Sequence, residues 1–177
     1  VAIDARYIEP HMDGFTRYTL NLLRGLAEAG PPGRIMVLTS NPDIIPEDLR
    51  RAACFDWVTL RRNPRGLAEQ ALMPRTLRRL GVNLLHSPDA FSPLPSGCRK
   101  VITIHDLIPI VCREKLWESV KARWWRVWRA WLRAQTAAAD RVITSSRHSA
   151  SDLRKWLRVP DEKLRVMERK VVIPGSN

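Results

Sequence analysis

Apolar residues along this chain fall into short runs separated by longer amphipathic stretches, and the two patterns alternate from one end to the other. Residues 1–6 read as a first strand, followed by a loop from Tyr7 to Gly14 and a helix on which Phe15, Tyr18, Leu22 and Leu26 recur at helical spacing. The run Gly30-Pro31-Pro32-Gly33 stops that helix, and residues 34–39 resume as a strand, which completes one β-α-β unit. The same reading predicts strands over 57–60, 82–86, 101–104, 141–145 and 164–173. Helices are predicted over about 66–80, interrupted by Pro74, over about 113–139, and from a Ser cap near 146 or 149 to Leu157, with Asp152 placed to complete a capping box on Ser149. Strand–helix alternation with nearly continuous apolar strands predicts an α/β fold. Its centre is a doubly wound, Rossmann-like parallel sheet covered on both faces.

The length of 177 residues suits one domain that buries its core without disulfides or a structural metal. Cys54, Cys98 and Cys112 are odd in number and lack metal-ligand spacing, so they read as free thiols of a reducing compartment, with no metal site expected. No secretory leader pattern or long apolar run is visible, so a cytoplasmic location is expected. The net charge of +12 then narrows the partners to polyanions: nucleic acid, anionic lipid headgroups or phosphorylated substrates.

Candidate chemistry collects at predicted strand ends, where ligands of open α/β sheets bind. The segment His105-Asp106-Leu107-Ile108-Pro109 follows the apolar run 101–104, with Pro109 expected to end the strand. There His105 reads either as a functional group facing a cleft or as a hydrogen-bonded rim histidine. Asp13-Gly14-Phe15-Thr16-Arg17-Tyr18 lies between the first strand and the first helix, where main-chain donors and the helix dipole favour a phosphate. Gly14 permits close approach, and Thr16 and Arg17 add donors; the single glycine also fits an ordinary helix start. His86 and Ser87 end another strand, and Ser145 and Ser146 follow the strand over 141–145, as cleft residues or as turn and cap residues.

The predicted helix over 113–139 is rich in tryptophan and basic side chains. At 100° per residue Trp117, Trp124, Trp128 and Trp131 share one face, with Trp125 and Lys121 flanking it; Lys115, Arg123, Arg126, Arg129 and Arg133 share the opposite face. Such a helix either covers the sheet or rests on an anionic membrane surface through Trp124, Arg126 and Trp128.

Taken in order, Asp4-Ala5-Arg6, the loop Gly14 to Thr19, His105-Asp106-Leu107-Ile108-Pro109 and Ala139 to Thr144 with Ser145 and Ser149 resemble retaining glycosyltransferases of family 4, the mannosyltransferase-like members above all. The resemblance implies the N-terminal, acceptor-side half of a GT-B fold over 1–170, with 171–177 opening an interdomain linker and the donor-binding C-terminal domain absent from the chain. It implies transfer of a hexose, with mannose from GDP-mannose as the specific case, to a glycan or lipid-linked acceptor in polysaccharide biosynthesis. No further cofactor and no specific nucleic acid are implied. Enzyme activity would need the missing domain, and a peripheral location on the inner face of the plasma membrane is expected. In this reading His105 is the catalytic residue, and Gly14, Thr16, Arg17 and Asp106 contact the donor phosphate and sugar. His86, Ser87, Ser145 and Ser146 line the acceptor cleft. One departure is Thr16, where many members carry a second glycine. The alternatives are a basic nucleic-acid-binding domain, for which no recognised motif appears, and a stand-alone small-ligand-binding α/β domain.

Overall fold

The computed structural model of the chain describes residues 1–112, 114 and 124–167. Seven strands form one parallel sheet: β1 (Ala2–Asp4), β2 (Ile35–Thr39), β3 (Phe55–Thr59), β4 (Leu84–Ser87), β5 (Arg99–Thr103), β6 (Arg141–Thr144) and β7 (Leu164–Val166). Their spatial order is β3-β2-β1-β4-β5-β6-β7. The chain winds outward from β1 to β3 and then returns to build the other half from β4, which is the doubly wound arrangement predicted from the sequence. Its reversal between β1 and β4 opens a crevice at the carboxyl ends of the strands.

The helices are α1 (Gly14–Ala29), α2 (Glu47–Arg50), α3 (Glu69–Arg79), α4 (Ile108–Val111), α5 (Trp125–Ala138) and α6 (Arg147–Asp152), the last continuing into a π-type segment, Leu153–Leu157. Neighbouring residues of a strand face opposite sides of the sheet. Thus Ile3 and Val37 pack with Leu20 and Leu23 of α1, whereas Ala2 and Leu38 pack with Met73 and Leu77 of α3. Beyond β4, Ile102, Ile104 and Val142 form a third cluster with Leu132 of α5 and Leu153.

Local chemistry explains where α1 begins and ends. Extended Asp13 accepts the Thr16 amide at 2.7 Å, and Gly30 closes the helix in the left-handed region at φ 59°, which glycine adopts without a Cβ penalty. The buried face of α1 is Thr16, Tyr18, Thr19, Leu20 and Leu23, while Phe15, Leu22 and Leu26 are only partly covered. Of the stripe expected from Phe15, Tyr18, Leu22 and Leu26, Tyr18 is thus buried as expected, and the rest is rotated because the two threonines turn inward.

Three other expectations shift. Pro74 lies inside α3 without interrupting it, since Met73 and Leu77 on either side are buried against the sheet and hold the helix across the missing donor. Pro109 does not end a strand. The strand stops at Thr103, and Pro109 occupies the first turn of α4, where its absent N–H leaves no helical bond unmade. Ser146 is the cap of α6, accepting the Ser149 amide at 3.0 Å, so Ser149 takes the capping-box position and Asp152 sits near His148 instead. Of the helix expected over 113–139, α5 is the described part; residues 113 and 115–123, including Lys115, Trp117, Lys121 and Arg123, lie outside the described residues. So do 168–177, with the end of the expected last strand and the expected linker.

Two buried charged groups brace the segments beside the crevice. Arg6 grips both oxygens of Asp4 at 2.8 Å and reaches Glu69 at 2.7 Å, while Arg62 meets the other Glu69 oxygen at 2.6 Å. Burial opposes charge here, yet the bonds and charges of Asp4 and Glu69 keep Arg6 firmly protonated. Lys100 is fully buried and bonds to the Pro93 carbonyl at 2.9 Å and Gln135 Oε1 at 3.2 Å, and Gln135 Nε2 donates to the Ser92 carbonyl at 2.6 Å. Its ammonium bonds to carbonyl oxygens, and burial outweighs the nearby charge of Asp140 and pulls the Lys100 pKa down to about 8.

Candidate functional site

His105 stands two residues beyond β5, where the sheet ends and α4 has not begun. Its Nε2 lies 3.0 Å from the Pro88 carbonyl. A carbonyl can only accept, so this nitrogen carries the proton, and Nδ1 is left as an acceptor in the neutral ring. The tautomer follows from that hydrogen bond. Phe15 and Tyr18 from α1 hold the imidazole edge-on, at centroid distances of 4.9 and 4.7 Å. The His105 carbonyl accepts Ser149 Oγ at 3.1 Å and Ser145 Oγ at 3.4 Å. Contacts from the β4 loop, α1 and the start of α6 therefore fix both its side chain and its backbone.

Two cavities meet at this residue. One, of about 510 Å³, is lined by Asp13, Gly14, Phe15, His105, Asp106 and Ser145. The other, of about 320 Å³, includes Phe15, Asp89, His105, Asp106, Pro109 and Trp128. Phe15, His105 and Asp106 belong to both. A Cβ on Gly14 would meet no atom within 4 Å, so packing does not require glycine there; what its bare backbone contributes is open access to the larger cavity.

The residues singled out in the sequence separate into those that reach the cavities and those the fold uses internally. Gly14, His105, Asp106 and Ser145 line one or both cavities. Thr16 is buried, its amide held by Asp13 and its Oγ1 accepting the Glu9 amide at 3.1 Å, so its side chain ties down the loop. This inward turn also explains why a residue larger than glycine fits. Arg17 is exposed on the first turn of α1. His86 and Ser87, expected in the cleft, are buried: Ser87 Oγ donates to the Asp89 carbonyl at 3.0 Å, and His86 Nε2 lies 3.1 Å from Thr103 Oγ1. Ser146 is occupied as the cap of α6. Of the residues expected at a membrane surface, Trp124 and Arg126 are exposed, whereas Trp128 packs against the core and against Phe91 at 5.3 Å.

Electrostatics sharpens the division. Burial pushes the His86 pKa down to about 4, so that ring is neutral near pH 7 and bonded within the core. Asp13 is held below the ordinary carboxylate range: burial works against its charge, but the amide and hydroxyl of Thr16 outweigh it. The helix start facing the larger cavity therefore carries a fixed negative charge beside its main-chain donors. Sequence reading missed Phe15, Tyr18, Asp89 and Trp128 as site residues. The first two had been absorbed into a helical stripe and Trp128 into a surface face, while Asp89, two residues past Ser87, was overlooked at a strand end already under suspicion.

Among the described residues no group of three or more His, Cys, Asp or Glu side chains could hold a metal ion. No helix among them is long and apolar enough to cross a membrane. The sequence pattern of Glycosyltransferase Family 4 matches residues 12–171. No curated protein matches the chain significantly. Among solved structures, a glycosyltransferase from Rickettsia africae ESF-5 has a TM-score of 0.56 at 12% identity, covering 95% of this chain and 42% of that one. A sucrose-phosphate synthase structure from Thermosynechococcus elongatus has a TM-score of 0.57 at 16% identity, covering 97% of this chain and 90% of that one. These likenesses are of fold, and this chain spans less than half the length of the Rickettsia protein.

Proposed function

This chain belongs to glycosyltransferase family 4, and from that premise we propose that it is the acceptor-side half of a two-domain GT-B enzyme. The enzyme moves a hexose from a nucleotide-sugar to a glycan or lipid-linked acceptor. The observation that carries this reading is the meeting of two cavities at His105: one opens on Gly14 at the start of α1, the other is walled by aromatic and acidic side chains.

In this reading the donor diphosphate lies over Gly14, whose missing side chain lets an anion approach the backbone, with Arg17 offsetting the charge of Asp13. His105, with its Nε2 proton committed to Pro88, accepts a donor-sugar hydroxyl at Nδ1 and so orients the ring. Transfer proceeds with retention. The bond from the anomeric carbon to the diphosphate breaks, the acceptor oxygen bonds to that carbon on the same face, and the departing phosphate oxygen takes the acceptor proton. Mannose from GDP-mannose is the donor proposed, in polysaccharide biosynthesis, with the glutamates that bind the nucleotide on the other domain. The exposed Trp124 and Arg126 are proposed to touch the inner face of an anionic membrane.

Titration of the isotope-labelled chain with GDP tests the donor side. Amide signals of residues 14–17 shift, and Gly14→Ala weakens the effect while stability stays within about 1 kcal/mol, because alanine is the better helix former. If no nucleoside diphosphate moves these signals at millimolar concentration, the donor assignment is wrong. Sugar transfer by this chain alone would overturn the need for a second domain.

A further inference from the structure

Close to His105 runs a line of polar groups that the proposed transfer does not use. His86 Nε2 lies 3.1 Å from Thr103 Oγ1, that oxygen lies 3.0 Å from Tyr18 Oη, and Tyr18 Oη lies 3.4 Å from Met167 Sδ. Its members come from β4, β5, α1 and the residue after β7, so four separate elements meet in it. His86, Thr103 and Tyr18 are all buried.

Counting protons gives the line a direction. A thioether sulfur can only accept, so the Tyr18 hydroxyl donates to Met167. With its one proton spent, Tyr18 Oη accepts from Thr103, and with the Thr103 proton spent in turn, the bond at His86 comes from the ring. His86 is neutral near pH 7, because burial pulls its pKa down to about 4, so its single ring proton sits on Nε2. Burial also raises the Tyr18 pKa and keeps the phenol protonated. The reverse direction would leave the Tyr18–Met167 contact without a proton.

The consequence falls on His105. Its hydrogen bond from Nε2 to the Pro88 carbonyl fixes one end of the ring, and the tilt of the ring plane is left to Phe15 and Tyr18, which stand edge-on to it. Phe15 is only half-buried, lines both cavities and has no polar atom to hold it. Tyr18 is buried and tied at its hydroxyl, so it is the fixed wall of the two. Replacing both partners of a buried hydrogen bond by apolar groups of the same shape is nearly neutral for stability. The bond between Thr103 and Tyr18 is therefore more than the core requires.

We propose that Thr103 and Tyr18 are positioning residues for His105: the line directed from His86 through Thr103 and Tyr18 to Met167 fixes the Tyr18 ring, and that ring sets the plane in which His105 offers Nδ1. The inference rests on the reading of His105 as the group that orients the donor sugar. It gives His86 a different part from the cleft contact expected of it, as the donor that starts the line, a part that an asparagine amide can also play.

Long-range proton–nitrogen NMR spectra of the histidine-labelled 177-residue chain test the direction of the line. His86 shows the Nε2–H form at pH 7. The His105 ring reports the positioning, through the ring-current shifts that Phe15 and Tyr18 impose on its carbon-bound protons and through exchange of its Nε2 proton with water. Tyr18→Phe, which keeps the aromatic ring and removes only the hydroxyl, moves those shifts and speeds the exchange about fivefold, the worth of one net hydrogen bond. Thr103→Val does the same from the neighbouring strand end, whereas Thr103→Ser, which keeps the hydroxyl, holds the His105 signals at their original positions; circular dichroism stays native in all three. A proton on His86 Nδ1, His105 signals indifferent to Tyr18→Phe, or Thr103→Ser moving them as far as Thr103→Val would overturn the proposal. Should Thr103→Val fail to fold, the His86 tautomer and Tyr18→Phe decide it alone. If these results hold while GDP leaves the amides of residues 14–17 unmoved, the donor assignment is wrong and the positioning stands.

Discussion

His86 and His105 stand at the carboxyl edge of adjacent strands, and their fates differ. His86 belongs to β4, with Val101 opposite it in β5, and its ring is buried against Thr103. His105 lies beyond the end of β5, half-buried between Phe15 and Tyr18, with both cavities before it. A shared hydroxyl joins the two environments, since Thr103 Oγ1 bonds to His86 and also to Tyr18, whose ring braces His105. The pair shows that a place at the sheet edge gives a histidine a chance of function and no more. What separates them is whether the strand has run out before the side chain is reached and whether α1 covers or props the ring.

Acid should expose the buried member most strongly. The folded pKa of His86, about 4, is below its ordinary 6.5, so between those values the unfolded chain binds the extra proton and stability is lost as pH falls. Denaturant titrations across this window should show a loss of up to about 3 kcal/mol, at 1.36 kcal/mol per pKa unit. His86→Asn should flatten the slope; a slope unchanged in that variant would remove His86 as the group that acid exposes. The half-buried member should answer in rate. In the complete two-domain enzyme His105→Ala should cut transfer by about 100-fold, close to 2.7 kcal/mol at the transition state, whereas His86→Asn should stay within about threefold. Initial-rate measurements with equal losses for the two variants would remove the distinction. The smallest effect is expected from a surface control. Trp124→Ala with Arg126→Glu should weaken co-sedimentation with anionic vesicles by about 1 kcal/mol per charge removed, leaving the acid slope and the transfer of soluble sugars unchanged. Undiminished vesicle binding would dismiss the membrane contact.

The doubly wound sheet was legible in the sequence because parallel strands buried on both faces are largely apolar, as are the runs at 35–38, 101–104 and 142–143. Punctuation was read well where a single residue decides it, as with Gly30, and badly where packing decides it. Pro74 is held within α3 by Met73 and Leu77, and no local rule foresees those neighbours. The candidate site was legible at Gly14, His105, Asp106 and Ser145, which stand just past strand ends or at a helix start. Its other walls were not, since Asp89 and Trp128 come from segments far apart in sequence.

The sequence by itself determined the class of fold, the edge of the sheet where chemistry would gather and the family to which the chain belongs, because periodicity, glycine placement and motif order are local properties of a chain. Only the tertiary structure decided which polar groups remain available. Thr16, His86 and Ser87 found partners inside the protein, and a buried polar group without one costs about 1–3 kcal/mol, so the fold claims such residues first. His105 met its environment from three other segments and kept one nitrogen open, which no reading of five consecutive residues could have established.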